Sequence, residues 1–244
     1  MGRETVLVPM KWKKGEWPVI DQVRGRQSGP LPPTNKRVKG DSPFANEGDK
    51  LDFGVGSSLS KQLLFWRPPK TSLFAISPPG HPNTLRISPS RVNLTADAGY
   101  NPAVDGLGFI ARKQTATTFQ YSVDLSFQPT QADEEAGVTV FLTQMQHIDL
   151  SIINLGSKGS HLRWRVEAVG KPNYTAPEAR SVPLSKTWRS EPLRLSIEAT
   201  EDSKYVFSAA PVTRPKEAVN MGIASAEIVS GGSGPFTGRS SLLP

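Results

Sequence analysis

The chain has 244 residues, 36% of them hydrophobic, a size that suits one β domain with flexible ends or two small domains. Its 22 prolines and 21 glycines divide the sequence into short segments, which favours strands and turns over long helices. The absence of cysteine excludes disulfides and thiolate–metal sites, and no apolar run approaches the roughly 20 residues of a membrane helix.

The N-terminal region carries most of the formal net charge of +7. Residues 1–40 contain nine Lys or Arg and three Asp or Glu, a net charge of +6. A basic arm of this kind can bind nucleic acid or another acidic polymer, but the interleaved aromatic residues of an RNA-binding surface do not follow it. We therefore interpret the arm as solvated and expect neither nucleic acid nor a membrane as a partner. The first residues lack the apolar segment of a signal peptide, so the sequence assigns no compartment.

Composition divides the chain into segments. Residues 1–20 contain apolar side chains and two tryptophans, Trp12 and Trp17, and are expected to be ordered against a partner surface. Residues 21–48 are rich in glycine, proline and serine with few apolar residues, which is typical of a linker.

From residue 49 onward the pattern is that of β-strands. Residues 119–127 alternate strictly between apolar and polar side chains, which places the five apolar ones on one face of a strand. The same period recurs at 147–152, 162–168 and 193–199, and a short apolar run at 138–142 predicts a strand buried on both faces. Weaker strands are predicted at 85–87, 92–94, 205–207 and 226–229. Several such strands with no helical period between them indicate an all-β fold of two packed antiparallel sheets.

Two blocks of sequence resemble a known family. The first is GRET at residues 2–5, followed by Pro9, Trp12 and WPVI at 17–20. It resembles the segment that ends the five-bladed propeller of family 43 glycoside hydrolases, the β-xylosidases and α-arabinofuranosidases. The second block consists of GFIARKQT at 108–115, the strand at 119–127, EEAGVTVFL at 134–142 and QHIDL at 146–150. It is similar to the concanavalin A-like sandwich that follows those propellers, and residues 230–238 fit as well.

The resemblance implies a domain organisation. Residues 1–20 would be a remnant of the propeller's last segment, and residues 49–238 a concanavalin A-like β-sandwich, or jelly roll. In the family the chain continues into closing strands, whereas residues 239–244 show no strand pattern and are expected to form an irregular tail. A sandwich that lacks its last strand or strands, with an exposed sheet edge, is therefore an open alternative.

Catalytic residues are not predicted in this chain. Glycoside hydrolysis needs two carboxyl groups flanking the scissile bond, and the family's catalytic carboxylates lie on propeller blades that this chain does not contain. The acidic cluster at 133–135 is interpreted as a solvated turn, with Glu135 as its structural member. Whether the chain is itself an enzyme stays open, although the family it resembles hydrolyses O-glycosyl bonds.

Five residues are candidates for substrate binding. Arg3 matches an arginine that, by resemblance, reaches the sugar pocket and stabilises an active-site carboxylate; without a propeller, in the same polypeptide or on another chain, Arg3 is expected to be an exposed charge. Phe109 follows a glycine-rich turn, and in the family a sandwich loop reaches toward that pocket. Gln144, Gln146 and His147, considered together with Asp149, carry groups suited to sugar hydroxyls, although an ordinary polar sheet face explains them too.

Neither a metal nor another cofactor is expected. The three histidines, at 81, 147 and 161, lie far apart in sequence and lack the spacing of a metal site.

The sequence therefore predicts an accessory domain of a β-xylosidase-like hydrolase that degrades xylan. The domain would brace the catalytic propeller, supplied in the same polypeptide or by a separate chain, and help to shape its pocket for xylo-oligosaccharide. Two alternatives stay open at this point: a stand-alone carbohydrate-binding module, and a gene fragment without a function of its own.

Overall fold

The structure, a computed structural model, describes residues 8–20, 22, 23, 29, 50–95, 106–171, 174–230 and 240–243. The chain forms two compact units, residues 1–48 and 49–244. In the first unit, strands β1 (Met10–Lys11) and β2 (Val19–Ile20) pair in antiparallel fashion. Arg3 and most of the linker expected at 21–48 lie outside the described residues.

The second unit consists almost entirely of strands. Their bounds are β3 (Leu63–Leu64), β4 (Phe74–Ile76), β5 (Leu85–Ile87), β6 (Ile110–Lys113), β7 (Phe119–Leu125), β8 (Glu135–Thr143), β9 (Gln146–Asn154), β10 (Ser160–Ala168), β11 (Arg180–Pro183), β12 (Leu193–Ala199), β13 (Lys204–Pro211), β14 (Val219–Ser225) and β15 (Ser240–Leu243). One short helix, α1 (Lys186–Arg189), and several 3-10 turns connect them. None of the described helices is long and apolar enough to cross a membrane.

Two antiparallel sheets form the sandwich. The larger sheet has seven strands in the order β11-β10-β9-β8-β15-β6-β3, and the smaller has four in the order β14-β13-β12-β7. Every strand pair is antiparallel. Strands β4 and β5 pair separately. The all-β sandwich predicted from the alternation is thus confirmed.

The core lies between the inner faces of the two sheets, where the apolar residues of each alternating strand meet. In the smaller sheet Ile197 lies opposite Tyr121 on one side and Phe207 on the other. In the larger sheet Leu150 lies opposite Val138 and Trp164. These side chains belong to one continuous cluster that joins the sheets. Alternation therefore folds into a sandwich because each strand buries one face against the other sheet.

Three segments differ from the sequence prediction. Residues 240–243, expected in an irregular tail, form β15, which pairs with β8 on one side and β6 on the other. Such a strand is held by hydrogen bonds on both edges, so four residues without alternation can occupy the sheet interior. Residues 92–94 form no strand, and residues 226–229 form a 3-10 turn. That turn buries Ala226, Ile228 and Val229 against the core, which explains its apolar composition.

The outer face of the larger sheet is also covered in part. A second, smaller cluster consists of Phe109, Ala111 and Phe141, with further apolar side chains packed against it. Those further side chains are Trp66, Leu94 and Leu107, which precede the main strands in sequence. The segment before β6 therefore covers a sheet face that would otherwise meet solvent.

Candidate functional site

The two faces of strand β9 differ in chemistry but not in burial. Its inner face carries Ile148, Leu150 and Ile152, which belong to the sandwich core. Its outer face carries His147 and Asp149, which are 0% and 5% exposed. The sequence pattern predicted a polar face correctly, but the structure closes that face to solvent.

The buried polar groups of the outer face form a charged network. Nδ1 of His147 donates to Oδ1 of Asp149 at 3.0 Å, and Nη2 of Arg165 donates to Oδ2 of the same carboxylate at 3.0 Å. Burial alone would raise the pKa of Asp149, but interactions with His147, Arg165 and the hydroxyl of Thr139 outweigh it and hold that pKa below its usual value. The Asp149 carboxylate is therefore ionised, and it accepts hydrogen bonds from His147 and Arg165.

A second ion pair lies beside this network. The guanidinium of Arg163 forms a bidentate pair with the carboxylate of Glu135, and the hydroxyl of Ser151 donates to the same carboxylate. The Glu135 side chain is 23% exposed. The structure thus gives Glu135 the structural role expected for it, since it joins strands β8, β9 and β10.

The rest of the acidic cluster lies in a turn. Oε2 of Glu134 accepts hydrogen bonds from the backbone N–H groups of Thr130, at 2.6 Å, and Gln131, at 3.0 Å. Those bonds, the one from Gln131 foremost, lower the pKa of Glu134. A glycosidase general acid needs the opposite, a raised pKa. Among the described carboxyl groups, every pKa that is shifted is shifted downward, as at Glu134, Asp149, Glu191 and Asp202.

Of the four candidate binding residues that the structure describes, Phe109 and His147 both lie against the ring of Phe141, whereas Gln144 and Gln146 do not join them. Gln144 lies in the turn between β8 and β9, and the Gln146 side chain is on the core face, where its Nε2 donates to the carbonyl of Val169 at 2.9 Å. His147 points to the opposite face. Phe109 is buried, with its ring centroid 4.9 Å from that of Phe141. With Arg3 outside the described residues, a substrate-binding role for these five stays a prediction.

An aromatic cluster adjoins the buried network. The ring of Phe141 lies 5.1 Å from that of Trp66 and 5.8 Å from the imidazole of His147, between centroids. Aromatic packing of this kind contributes to stability, and His147 links the aromatic cluster to the charged network. The sequence identified Phe109 as a candidate, but no local pattern shows that Trp66 and Phe141 pack with it. In the described part of the chain, no group of three or more His, Cys, Asp or Glu is arranged to hold a metal ion.

The N-terminal hairpin carries an exposed apolar surface. Trp17 is 90% exposed and Trp12 is 66% exposed, although the indole Nε1 of Trp12 donates to the carbonyl of Glu16 at 2.9 Å. Met10, Val19 and Ile20 are exposed as well. A short hairpin cannot bury such residues by itself, so this surface is of the kind that contacts another protein surface.

A cleft at one end of the sandwich was not predicted. Trp188 and Arg189 of α1 line it, together with the ends of strands from both sheets. Trp188 was not among the candidate binding residues. The meeting of α1 with β9, β10 and β12 depends on the tertiary fold, and no local motif indicates it.

Comparisons with known proteins agree with the fold. The sequence model of the β-xylosidase C-terminal concanavalin A-like domain family matches residues 50–240. A non-reducing end α-L-arabinofuranosidase from Bacteroides ovatus is 27% identical over 242 residues, which cover 98% of this chain and 41% of that protein. This chain therefore spans about two fifths of that relative's length.

Solved structures give the same result. The Bacteroides ovatus xyloglucan PUL GH43B structure superposes with a TM-score of 0.72 at 25% identity, covering 99% of this chain and 43% of that one. A xylan β-1,4-xylosidase from Bacillus halodurans C-125 superposes with a TM-score of 0.73 at 20% identity, again over 99% and 43%, which shows the shared fold. The resemblance found in the sequence is confirmed. The chain belongs to the β-xylosidase C-terminal concanavalin A-like domain family.

Proposed function

We propose that this chain is the accessory sandwich of a glycoside hydrolase that acts on xylan-type polysaccharide. It braces the catalytic propeller, helps to shape the substrate pocket for xylo-oligosaccharide and does not hydrolyse glycosides by itself. The family membership supports this role. So do the relatives named as glycosidases, because more than half of each relative's own chain lies outside the match. The propeller belongs either to the same polypeptide or to a separate chain.

One observation carries the bracing role: the exposed apolar surface of the N-terminal hairpin. Trp17, with 90% of its surface exposed, and Trp12 present large apolar areas to solvent. Burying one such aromatic side chain is worth about 1.5–3 kcal/mol. The propeller is the partner that fits, because the match to the arabinofuranosidase covers 98% of this chain but only 41% of that protein, which leaves room in the relative for a further domain.

The pocket-shaping role rests on Arg3. By resemblance its guanidinium reaches the sugar pocket of the propeller, where a cation stabilises the ionised form of a neighbouring carboxylate. Phe109, the other candidate for the pocket, is buried beside Phe141 and therefore packs within the sandwich.

Co-expression tests the bracing role. The part of the Bacteroides ovatus arabinofuranosidase outside the match is produced together with this chain, and the two are separated by size exclusion. We expect them to elute together, and we expect Trp17→Ala to abolish co-elution. Met145→Ala serves as the matched control, since Met145 is a half-exposed apolar residue of the sandwich rather than of the hairpin.

Separate elution of the unmodified chain would contradict the bracing role. Co-elution that survives Trp17→Ala combined with Trp12→Ala would show that the hairpin is not the contact surface.

A further inference from the structure

The cleft at the end of the sandwich has a volume of about 170 Å³ and is built from apolar, aromatic and charged groups. Its floor is the end of the core, where Ile152, Leu184 and Leu193 are buried. Pockets for drug-sized ligands measure about 300–1,000 Å³. The smaller volume of this cleft suits a ligand of a single ring.

Trp188 provides an aromatic wall that is fixed in place. Its indole Nε1 donates to Oε2 of Glu217 at 3.2 Å, and Nη1 of Arg214 donates to both oxygens of Glu217, at 2.9 and 3.0 Å. The Ser185 hydroxyl caps α1 by accepting from the backbone N–H of Trp188. A ring that is already ordered loses little conformational freedom when the apolar face of a sugar stacks on it.

Arg189 provides a cation without a carboxylate partner. Its Nε donates to the carbonyl of Leu184 at 3.0 Å, and within the described part of the chain this is the only hydrogen bond of its guanidinium. Four other arginines of the sandwich each pair with a carboxylate: Arg163, Arg165, Arg194 and Arg214. The terminal nitrogens of Arg189 are therefore available to a ligand.

The one acidic residue among those lining the cleft is already paired. The carboxylate of Glu191 accepts from the hydroxyl of Thr213 and from Nη2 of Arg214, the latter at 2.6 Å. The hydrogen bond from Thr213 is the largest of several effects that lower the pKa of Glu191. Because Arg214 takes up this charge, the charge that the cleft offers to a ligand is the cation of Arg189.

We propose that this cleft binds a sugar that carries a carboxylate, a ligand of the uronic acid class. The sugar ring lies against Trp188, and its carboxylate accepts hydrogen bonds from the terminal nitrogens of Arg189. A planar guanidinium and a carboxylate form paired, charge-assisted hydrogen bonds, which a neutral sugar cannot match. This inference is independent of the bracing role, since every group that it uses lies in residues 49–244.

Calorimetric titration of the full chain tests the proposal with two ligands. Methyl β-glucuronide carries the carboxylate, and methyl β-xyloside has the same ring without it. We expect the glucuronide to bind about tenfold more tightly or better, because hydrogen bonds to charged groups are the stronger ones. We also expect its affinity to fall as salt is added, since the interaction is between charges.

Three variants locate the binding site. Arg189→Gln is expected to remove the preference for the glucuronide, while Lys186→Gln, a nearby exposed cation of α1, is expected to leave it unchanged. Trp188→Ala is expected to weaken both ligands about fivefold or more through lost stacking. Because Trp188 packs against the core and Arg189 is exposed, Arg189→Gln is the deciding variant.

Equal affinity for the two ligands, or an unchanged preference in Arg189→Gln, would overturn the proposal. So would the absence of glucuronide binding at millimolar concentration. None of these results bears on the bracing role, since the chain is titrated without a propeller.

Discussion

The two faces of the seven-stranded sheet are both buried at strand β9, but one carries apolar side chains and the other carries charged and polar ones. On the inner face Leu150 lies in an apolar row between Val138 and Trp164. On the outer face Asp149 lies one residue away, at almost the same burial, between an imidazole and a guanidinium. The inner face is stabilised by removing apolar surface from water, and the outer face at Asp149 by pairing the buried carboxylate with His147 and Arg165. The two faces should therefore respond differently to substitution.

The largest effect is expected at the inner face. Leu150→Ala leaves a cavity in the core and is expected to lower the free energy of unfolding by about 4 kcal/mol. Urea unfolding of the purified chain measures this value. Leu51→Ala is the control, because Leu51 is exposed and its loss is expected to cost less than about 0.5 kcal/mol. Equal costs for the two variants would contradict the assignment of Leu150 to the core.

The outer face should be nearly as sensitive, for an electrostatic reason. Asp149→Asn leaves Arg165 without its buried counter-charge and is expected to cost about 3 kcal/mol. Asp124→Asn removes a carboxylate from the exposed pair with Arg194 and is expected to cost less than about 1 kcal/mol. A similar cost for both variants in urea unfolding would mean that burial does not strengthen the network.

The destabilisation caused by Asp149→Asn should depend on pH. The pKa of Asp149 is lower in the folded chain than its ordinary value of 3.8, so ionised Asp149 stabilises the fold above that pH. The stabilisation is lost as the pH falls through the lowered pKa. The difference between the unmodified chain and Asp149→Asn should therefore be constant near neutrality and shrink below about pH 4. A difference in unfolding free energy that grows as the pH falls would show that ionised Asp149 does not stabilise the fold.

A smaller effect is expected where the two sheets approach each other. A Cβ atom at Gly222 of β14 would lie 2.3 Å from the indole of Trp164 on β10, so Gly222→Ala forces the core to shift. We expect a cost of about 2 kcal/mol, measured by thermal unfolding. Gly54→Ala is the matched control, since the nearest atom to its Cβ would be 4.0 Å away. An unchanged melting temperature in Gly222→Ala would show that the sheets are packed less closely than described.

The smallest effect on stability is expected at the hairpin of the first unit. Trp17→Ala removes a side chain that is 90% exposed, so the unfolding free energy of the isolated chain should change by less than about 0.5 kcal/mol. A cost of several kcal/mol in urea unfolding would show that the hairpin is buried within this chain. Its surface would then be unavailable to a propeller.

The sequence predicted the parts of the fold that depend on local periodicity. Alternation at 119–127, 162–168 and 193–199 correctly gave strands and their inner faces, and Trp164 lies in the core as its position in that pattern indicated. The order of the motifs also identified the family correctly.

Features that depend on distant parts of the chain escaped prediction. Alternation at 147–152 separates the two faces of β9 but cannot show that the outer one is buried as well. Strand β15 has no alternation that could have predicted it, and its place in the sheet depends on pairing with β6 and β8; the cleft at Trp188 likewise requires α1 to meet the ends of both sheets. In each case the missing information is a contact between residues far apart in sequence.

Affinity capture of the native protein tests the central claim most directly. An antibody against residues 50–230 is used on an extract of the source organism, and the captured material is analysed by mass spectrometry and assayed with aryl β-xyloside and aryl α-arabinofuranoside. We expect peptides of a five-bladed propeller, on the same polypeptide or on a second chain, together with hydrolysis of an aryl glycoside, whereas the purified 244-residue chain hydrolyses neither substrate. Capture of this chain without a propeller, or turnover by the purified chain itself, would contradict the account.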